Sequence, residues 1–495
     1  MKTKIIILAL IILNTGMGAQ EYYNKTIPFD FGYYPLAQNL CLYNNKLLLP
    51  TLIIDNQSYL IAMENDSIEY KHYNFSTAYR PITVVNNSIY LYGKDRSKKK
   101  AIKLMKLDTA YNPIWVKTYQ TNGESDFPGM IINLDDYIYI SYSIDFNNGA
   151  HREIGIKKID TLGNEIWSRN YNENDELAHM WDIIPSLDGN ILYSSGVFYY
   201  DGYWRYGQLT KIDTSGNILW RTKGEEKLED GATPVRMTEL SDSSIVLSYK
   251  INKFDEYPIH TWNNYPTRLK WFNKKGKAQQ DAILNVPWYN SVTLNQIERG
   301  RGDYFFAYGY VSESDRENDT HKNFYYGYIV KYSNSGDTIW MHKYQYNAFD
   351  SLDVFYTIED IEELENGDIL VLGRIDETGE LGKIWLFKVN SDGCFGEDSC
   401  GVYQRTDVAD LIESEFELGI YPNPVTDHII VNLPEPYDWE SWSIYDTNGR
   451  KIKTGMIKPQ KEVEISGLST LHNGMYFMVV RGKRGKVRVG KFVVE

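Results

Sequence analysis

The chain of 495 residues carries a formal net charge of −14, 24% charged residues and a mean hydropathy of −0.45. That length leaves room for two or more domains, and that acidity excludes a duplex nucleic-acid partner, which needs a basic face. The 41 Tyr, 18 Phe and 12 Trp favour strands over helices, because aromatic side chains pack well on a pleated surface.

The chain opens on Lys2 and Lys4, then an apolar run from Ile5 to Leu13, then small residues around Gly18 and Ala19. This is the grammar of a secretory signal peptide over residues 1–19, and the run is too short for a permanent bilayer span. Nothing later in the sequence is apolar for long enough to be a transmembrane span. From residue 20 two phrases alternate. One reads WDIIPSLDGNILYSSG at Trp181–Gly196 and occurs seven times in all, for example as IEELENGDILVLG at Ile361–Gly373. Apolar alternation on either side of a glycine turn predicts a hairpin of strands A and B. The other reads KIDTSGNILW at Lys211–Trp220, KIDTLGNEIW at Lys158–Trp167 and KLDTAYNPIW at Lys106–Trp115, and predicts a hairpin of strands C and D. Weaker copies bring it to seven.

Seven interleaved pairs of hairpins at 40–60 residue spacing predict an all-β chain, a seven-bladed β-propeller with four-stranded blades over 20–405. A solenoid is the weaker alternative. The seventh unit has no good strand D, and the stretch from Glu21 to Ile27 resembles one, so the N-terminal strand is expected to close the last blade. The repeated tryptophan then packs between neighbouring blades rather than forming a cofactor box. Cys394 and Cys400 lie in a turn-rich stretch of an exported chain and are expected to form a local disulfide; Cys41 reads as a small buried apolar residue on a strand.

The Asp, Gly and Trp spacing resembles the repeat of pyrroloquinoline-quinone propellers and, less well, the Asp box of sialidases. The first resemblance is architectural only, since this chain has no adjacent cysteine pair. In the second the spacing departs, with Asp213 three before Gly216 and Trp220 four after. Neither family's chemistry is expected.

An acidic linker spans 406–418, and residues 419–495 change character. Tyr421-Pro422-Asn423-Pro424, Asp446 with Gly449-Arg450, Leu468, Gly474 with Tyr476, and a terminal Lys491-Phe492-Val493-Val494 resemble the type A C-terminal sorting domain of the type IX secretion system. Alternating segments separated by turns independently suggest a small C-terminal β-sandwich. The resemblance implies Sec export, passage across the outer membrane with the type IX machinery as partner, tail removal, and release or attachment to surface lipopolysaccharide.

Topology restricts where chemistry can sit. In a propeller the B–C and D–A connections share one face, and here these are the long ones. Candidate ligand contacts at the funnel and on that face are Arg80, Phe127, Trp181, Asp182, Tyr203, Trp204, His260, Trp262, Trp288, Tyr289 and Tyr356. Aromatic platforms beside Asp, Arg and His suit sugars, so the expected role is a non-catalytic module for glycan or protein. A carbohydrate-active hydrolase or lyase in the funnel is the alternative, and a passive envelope component a third. No cofactor is expected. The loop SESDRENDTH offers oxygen ligands for calcium but lacks the spacing of a calcium loop. Arg301-Gly302-Asp303 coincides with a hairpin turn.

Overall fold

The computed structural model describes residues 24–27, 36–37, 39–44, 46–52, 58–64, 67–74, 76–94, 101–121, 125–146, 151–171, 177–198, 204–222, 232–251, 267–284, 291–314, 323–346, 354–377, 382–395, 418–433, 439–446, 451–458, 460–482 and 487–494. These contain strands and turns and no helix. The signal segment 1–19, Cys400 and linker residues 406–417 lie outside them, while Leu418 is described and buried. The chain divides into two compact units.

The first unit is seven antiparallel sheets of four strands, in sequence order. Blade 4 shows the pattern: strand 4A (Leu177–Pro185), 4B (Ile191–Phe198), 4C (Trp204–Ile212) and 4D (Ile218–Arg221), paired in that order. The remaining A strands are 2A (Ser76–Val85), 3A (Ser125–Leu134), 5A (Ala232–Glu239), 6A (Ser291–Arg299) and 7A (Val354–Glu363). In blade 1 strand A is broken into Leu36–Ala37 and Cys41–Tyr43. Single parallel bridges join blades 3 and 4, Arg152 to Leu177, and blades 6 and 7, Tyr325 to Phe355.

The ring closes as expected. Asn24–Ile27 pairs antiparallel with strand 7C (Lys383–Val389), from Asn24 opposite Phe387 to Ile27 opposite Ile384. Ile27 joins Leu47, Leu49 and Ile61 of blade 1 and Leu370, Leu372 and Leu386 of blade 7 in one buried cluster. Removing that apolar surface from water is the main force holding the seam. Trp385 donates its indole N–H to Asn24 Oδ1, so the closing strand also answers a buried donor.

The repeated phrase is a clasp. Asp213 Oδ1 accepts the backbone N–H groups of Ser215 and Asn217 at 2.9 and 2.8 Å, and Asp160 does the same for Leu162 and Asn164. This fixes the turn, and Gly216 takes a φ of +83° that a side chain would resist. The tryptophan of the preceding blade lies on that glycine: a Cβ on Gly216 would stand 3.1 Å from Trp167 Cη2. Trp167 Nε1 donates to Thr214 O at 3.0 Å, Trp220 to Lys274 O at 3.1 Å and Trp340 to Ser391 O at 3.1 Å, each in the next blade. Four residues on, Tyr119, Tyr171 and Tyr344 each donate to a turn-glycine carbonyl of the next blade, all at 2.9 Å. Each copy of the phrase thus grips the following copy.

The second unit holds two sheets. One contains Gly419–Tyr421, Ile429–Asn432 and Glu462–Ile465; the other contains Lys451–Met456, Trp439–Asp446, Gly474–Gly482 and Val487–Val494. Val425, Ile429, Val431, Ile444, Leu468, Met478 and Phe492 form its core, which makes it a sandwich.

Candidate functional site

Each A strand of blades 3 to 7 carries one extra residue against its B strand, a bulge that re-aims the side chains after it. The residues at the bulge exit in blades 4 to 7 are Asp182, Arg236, Gln296 and Asp360. Two positions on, by the register of the A–B pairs, come Ile184, Thr238, Glu298 and Glu362, with Cys41, Thr83 and Ile132 completing the ring in blades 1 to 3.

Strand 2A departs from this rule. Its register jumps from Thr77 opposite Gly93 to Ile82 opposite Leu91, so four residues face one. Arg80, within this bulge, has a φ of +51°. The displaced pair crosses the ring. Arg236 of blade 5 lies over the Tyr79 ring at 4.4 Å, and Arg80 Nη2 reaches Asp360 Oδ1 of blade 7 at 3.3 Å. Asp360 is a hub for four blades. Besides Arg80 it accepts Leu40 N at 2.6 Å and Asn39 Nδ2 at 3.0 Å from blade 1, and Tyr308 OH at 3.0 Å from blade 6. Burial opposes the charge of Arg80, but Asp360, Tyr308, Glu298 and Asp182 hold its guanidinium above the ordinary value.

Near the start of the A strands, Phe127 is 43% exposed. Lys94 Nζ and Arg152 Cζ lie 5.0 and 5.3 Å from its ring centre, within range of a cation–π contact. Arg152 holds Asp145 by two bonds, Nε to Oδ1 and Nη2 to Oδ2, the second at 3.2 Å. Nearby, Ser143 Oγ is 3.4 Å from His179 Nδ1, and His179 meets the Trp181 ring edge-on at 4.9 Å. Burial, then the Arg152 charge, lowers His179 to about 4, so it is neutral near pH 7.

Of the sequence candidates, Arg80, Phe127, Trp181, Asp182 and Tyr356 all sit on A strands. Asp182 is fully buried, and its carboxylate accepts Met237 N of the next blade and Ile183 N, both at 3.0 Å. Tyr356 is buried, with its ring against Trp385. Trp204 opens strand 4C opposite Phe198. Tyr203, His260, Trp262, Trp288 and Tyr289 lie outside the described residues. Cys394 is disulfide-bonded, and its expected partner Cys400 is also outside them. Cys41 is free and half-buried on the ring wall, where burial, then Glu362 and Asp360, push its thiol up to about 12. Sequence reading missed Glu298, Glu362 and Asp360. Aligning the A strands from their bulges would have exposed them as ring positions.

In the second unit the motif residues converge on the last strand. Asn423 Oδ1 accepts Val493 N at 2.9 Å, and Asn423 Nδ2 donates to Lys491 O at 3.4 Å. Tyr421 is exposed and bonds Glu462 at 3.0 Å, while Pro422 and Pro424 stand exposed beside it. Tyr476 is buried, stacks on Phe492 and lies opposite Asp446, and Gly474 opens its strand. Gly449 and Arg450 are outside the described residues. Residues 419–495 match the family model of the secretion system C-terminal sorting domain. The tail is a type IX sorting domain. The sorting domain engages the type IX machinery and takes the chain across the outer membrane to the cell surface or beyond. Among the described residues no helix is long and apolar enough to cross a membrane.

No curated protein matches the chain. Among solved structures it is similar to the β-propeller domain of the trilobed protease from Pyrococcus furiosus, at 9% identity and TM-score 0.41, covering 76% of this chain and 99% of that one. An α-L-arabinofuranosidase from Fusarium graminearum gives 11% and 0.38, covering 75% and 98%. Prolyl oligopeptidase B from Galerina marginata gives 11% and 0.38, covering 70% of this chain; the chain spans 46% of that protein.

Proposed function

We propose that this exported propeller is a non-catalytic binding module that takes a glycan at the strand-A entrances. The observation that carries the reading is Phe127. It is a ring left 43% exposed, flanked by Lys94 and Arg152, with the Arg152–Asp145 pair, His179 and Trp181 close by. A sugar stacks its CH face on such a ring while its hydroxyls bond to a guanidinium and a carboxylate held in fixed geometry. A hydrolase at Asp182 would need that carboxylate free to reach a substrate; it is buried and committed to two backbone N–H groups. After transit the tail is cut away, and the propeller is released or held on lipopolysaccharide.

The test is a glycan array probed with the full chain, followed by affinity measurement on the best polysaccharide. Phe127→Ala should cost at least about tenfold in affinity, the scale of one lost stacking contact, with an unchanged melting temperature. Binding indifferent to Phe127→Ala, or no glycan bound at all, overturns the reading.

A further inference from the structure

At the opposite end of the A strands, where they turn into the B strands, a cavity of about 620 Å³ is lined mainly by blades 6 and 7, with Leu187 of blade 4 and Ser241 of blade 5. That volume suits a small organic ligand. Its walls combine Leu187, Phe306 and Ile361 with Glu298 and Glu362. The two cations at its rim differ in role. Arg301 is tied to blade 7, its backbone N–H on Glu363 Oε2 at 2.7 Å and its Nε on Glu363 O at 2.9 Å. Arg299 is exposed. Arg80, the nearest cation within the ring, is engaged by Asp360.

We infer that this cavity binds an alkylammonium group, as carried by a lysine side chain, with its stem along Leu187, Phe306 and Ile361 and its nitrogen between Glu298 and Glu362. An apolar shaft ending in two carboxyls on adjacent strands matches a chain of methylenes ending in a cation. The charge pattern agrees. Burial, then Asp360, raises the carboxyls of both Glu298 and Glu362, the latter to about 7. The charged groups facing them are Asp360, Arg80, Glu363 and Arg301, with the Tyr308 hydroxyl and the Cys41 thiol. A bound cation draws off the remaining protons, so affinity rises as the pH climbs through about 7. The site lies at the other mouth from Phe127 and does not depend on the glycan reading.

Calorimetric titration of the full chain with a pentamethylene diamine and with the matching diol tests this. The diamine should bind and the diol should not. Glu362→Gln should weaken the diamine by about tenfold or more, the scale of a lost bond between charged groups. Leu187→Arg alters an exposed rim residue, leaves the carboxyls in place and puts a competing cation at the mouth. It should abolish binding even if Glu362→Gln fails to fold. Phe127→Ala should leave diamine binding intact. Tighter binding of a lysine tripeptide than of the diamine assigns the site to protein ligands, and the reverse to free amines. Equal heats for diamine and diol, or binding unmoved by Leu187→Arg, overturns the inference.

Discussion

Gly276 shows what one residue contributes to the ring. It has a φ of +75°, and a Cβ there would fall on the Trp220 indole. A β-branched side chain meets both the left-handed backbone and the ring face. Gly276→Val is expected to cost about 2 kcal/mol, read as a lower denaturation midpoint with an unchanged slope. An unchanged midpoint would mean that the clasp contributes nothing. The same position in blade 2 is Tyr111, at a φ of +62°, and the clasp survives there through its carbonyl, which accepts Tyr73 OH at 2.6 Å. The Asp, Gly and Trp of the phrase were legible because the copies in blades 3 and 4, Asp160, Gly163 and Trp167 and Asp213, Gly216 and Trp220, place them at the same offsets. Glu298 and Glu362 were not, since glutamates are common in an acidic chain and only their ring register sets them apart.

Among elements, the short strand Asn24–Ile27 is the one that closes the seventh blade. It covers the edge of strand 7C, which would otherwise offer unpaired N–H and C=O groups to another chain. Deleting residues 24–27 should lower the melting temperature and produce concentration-dependent dimers or larger species in sedimentation. A monomer of unchanged stability would deny the strand its closing role. This strand was readable because the seventh unit lacked a strand D while the N-terminal stretch resembled one. The enlarged bulge of strand 2A was not readable. Ser76–Val85 reads as an ordinary strand, and the excursion of Tyr79 and Arg80 exists because Arg236 and Asp360, far away in sequence, receive them. The long loops that drew attention in the sequence lie mostly outside the described residues, whereas Phe127 is on strand 3A.

At the scale of the molecule, the ring encloses a carboxyl layer that couples global stability to pH. Burial, then Asp360, raises Glu362 from 4.5 to about 7 in the folded state. The folded protein therefore holds its proton more tightly than the unfolded chain does. The stability this provides is whole below about pH 4.5 and is lost as the pH rises through about 7. Glu362→Gln should remove this loss, so that the gap between its melting temperature and the wild-type value widens in the variant's favour from about pH 5 to about pH 8. Parallel curves would show that the carboxyl ionises without penalty. The N-terminal strand also has a consequence for biogenesis. Its partner 7C lies more than 350 residues downstream, so the closing strand must wait for the seventh blade before it can pair. Until then the assembly is a partly closed fan with a bare margin, a state that escort proteins in the periplasm would be positioned to recognise.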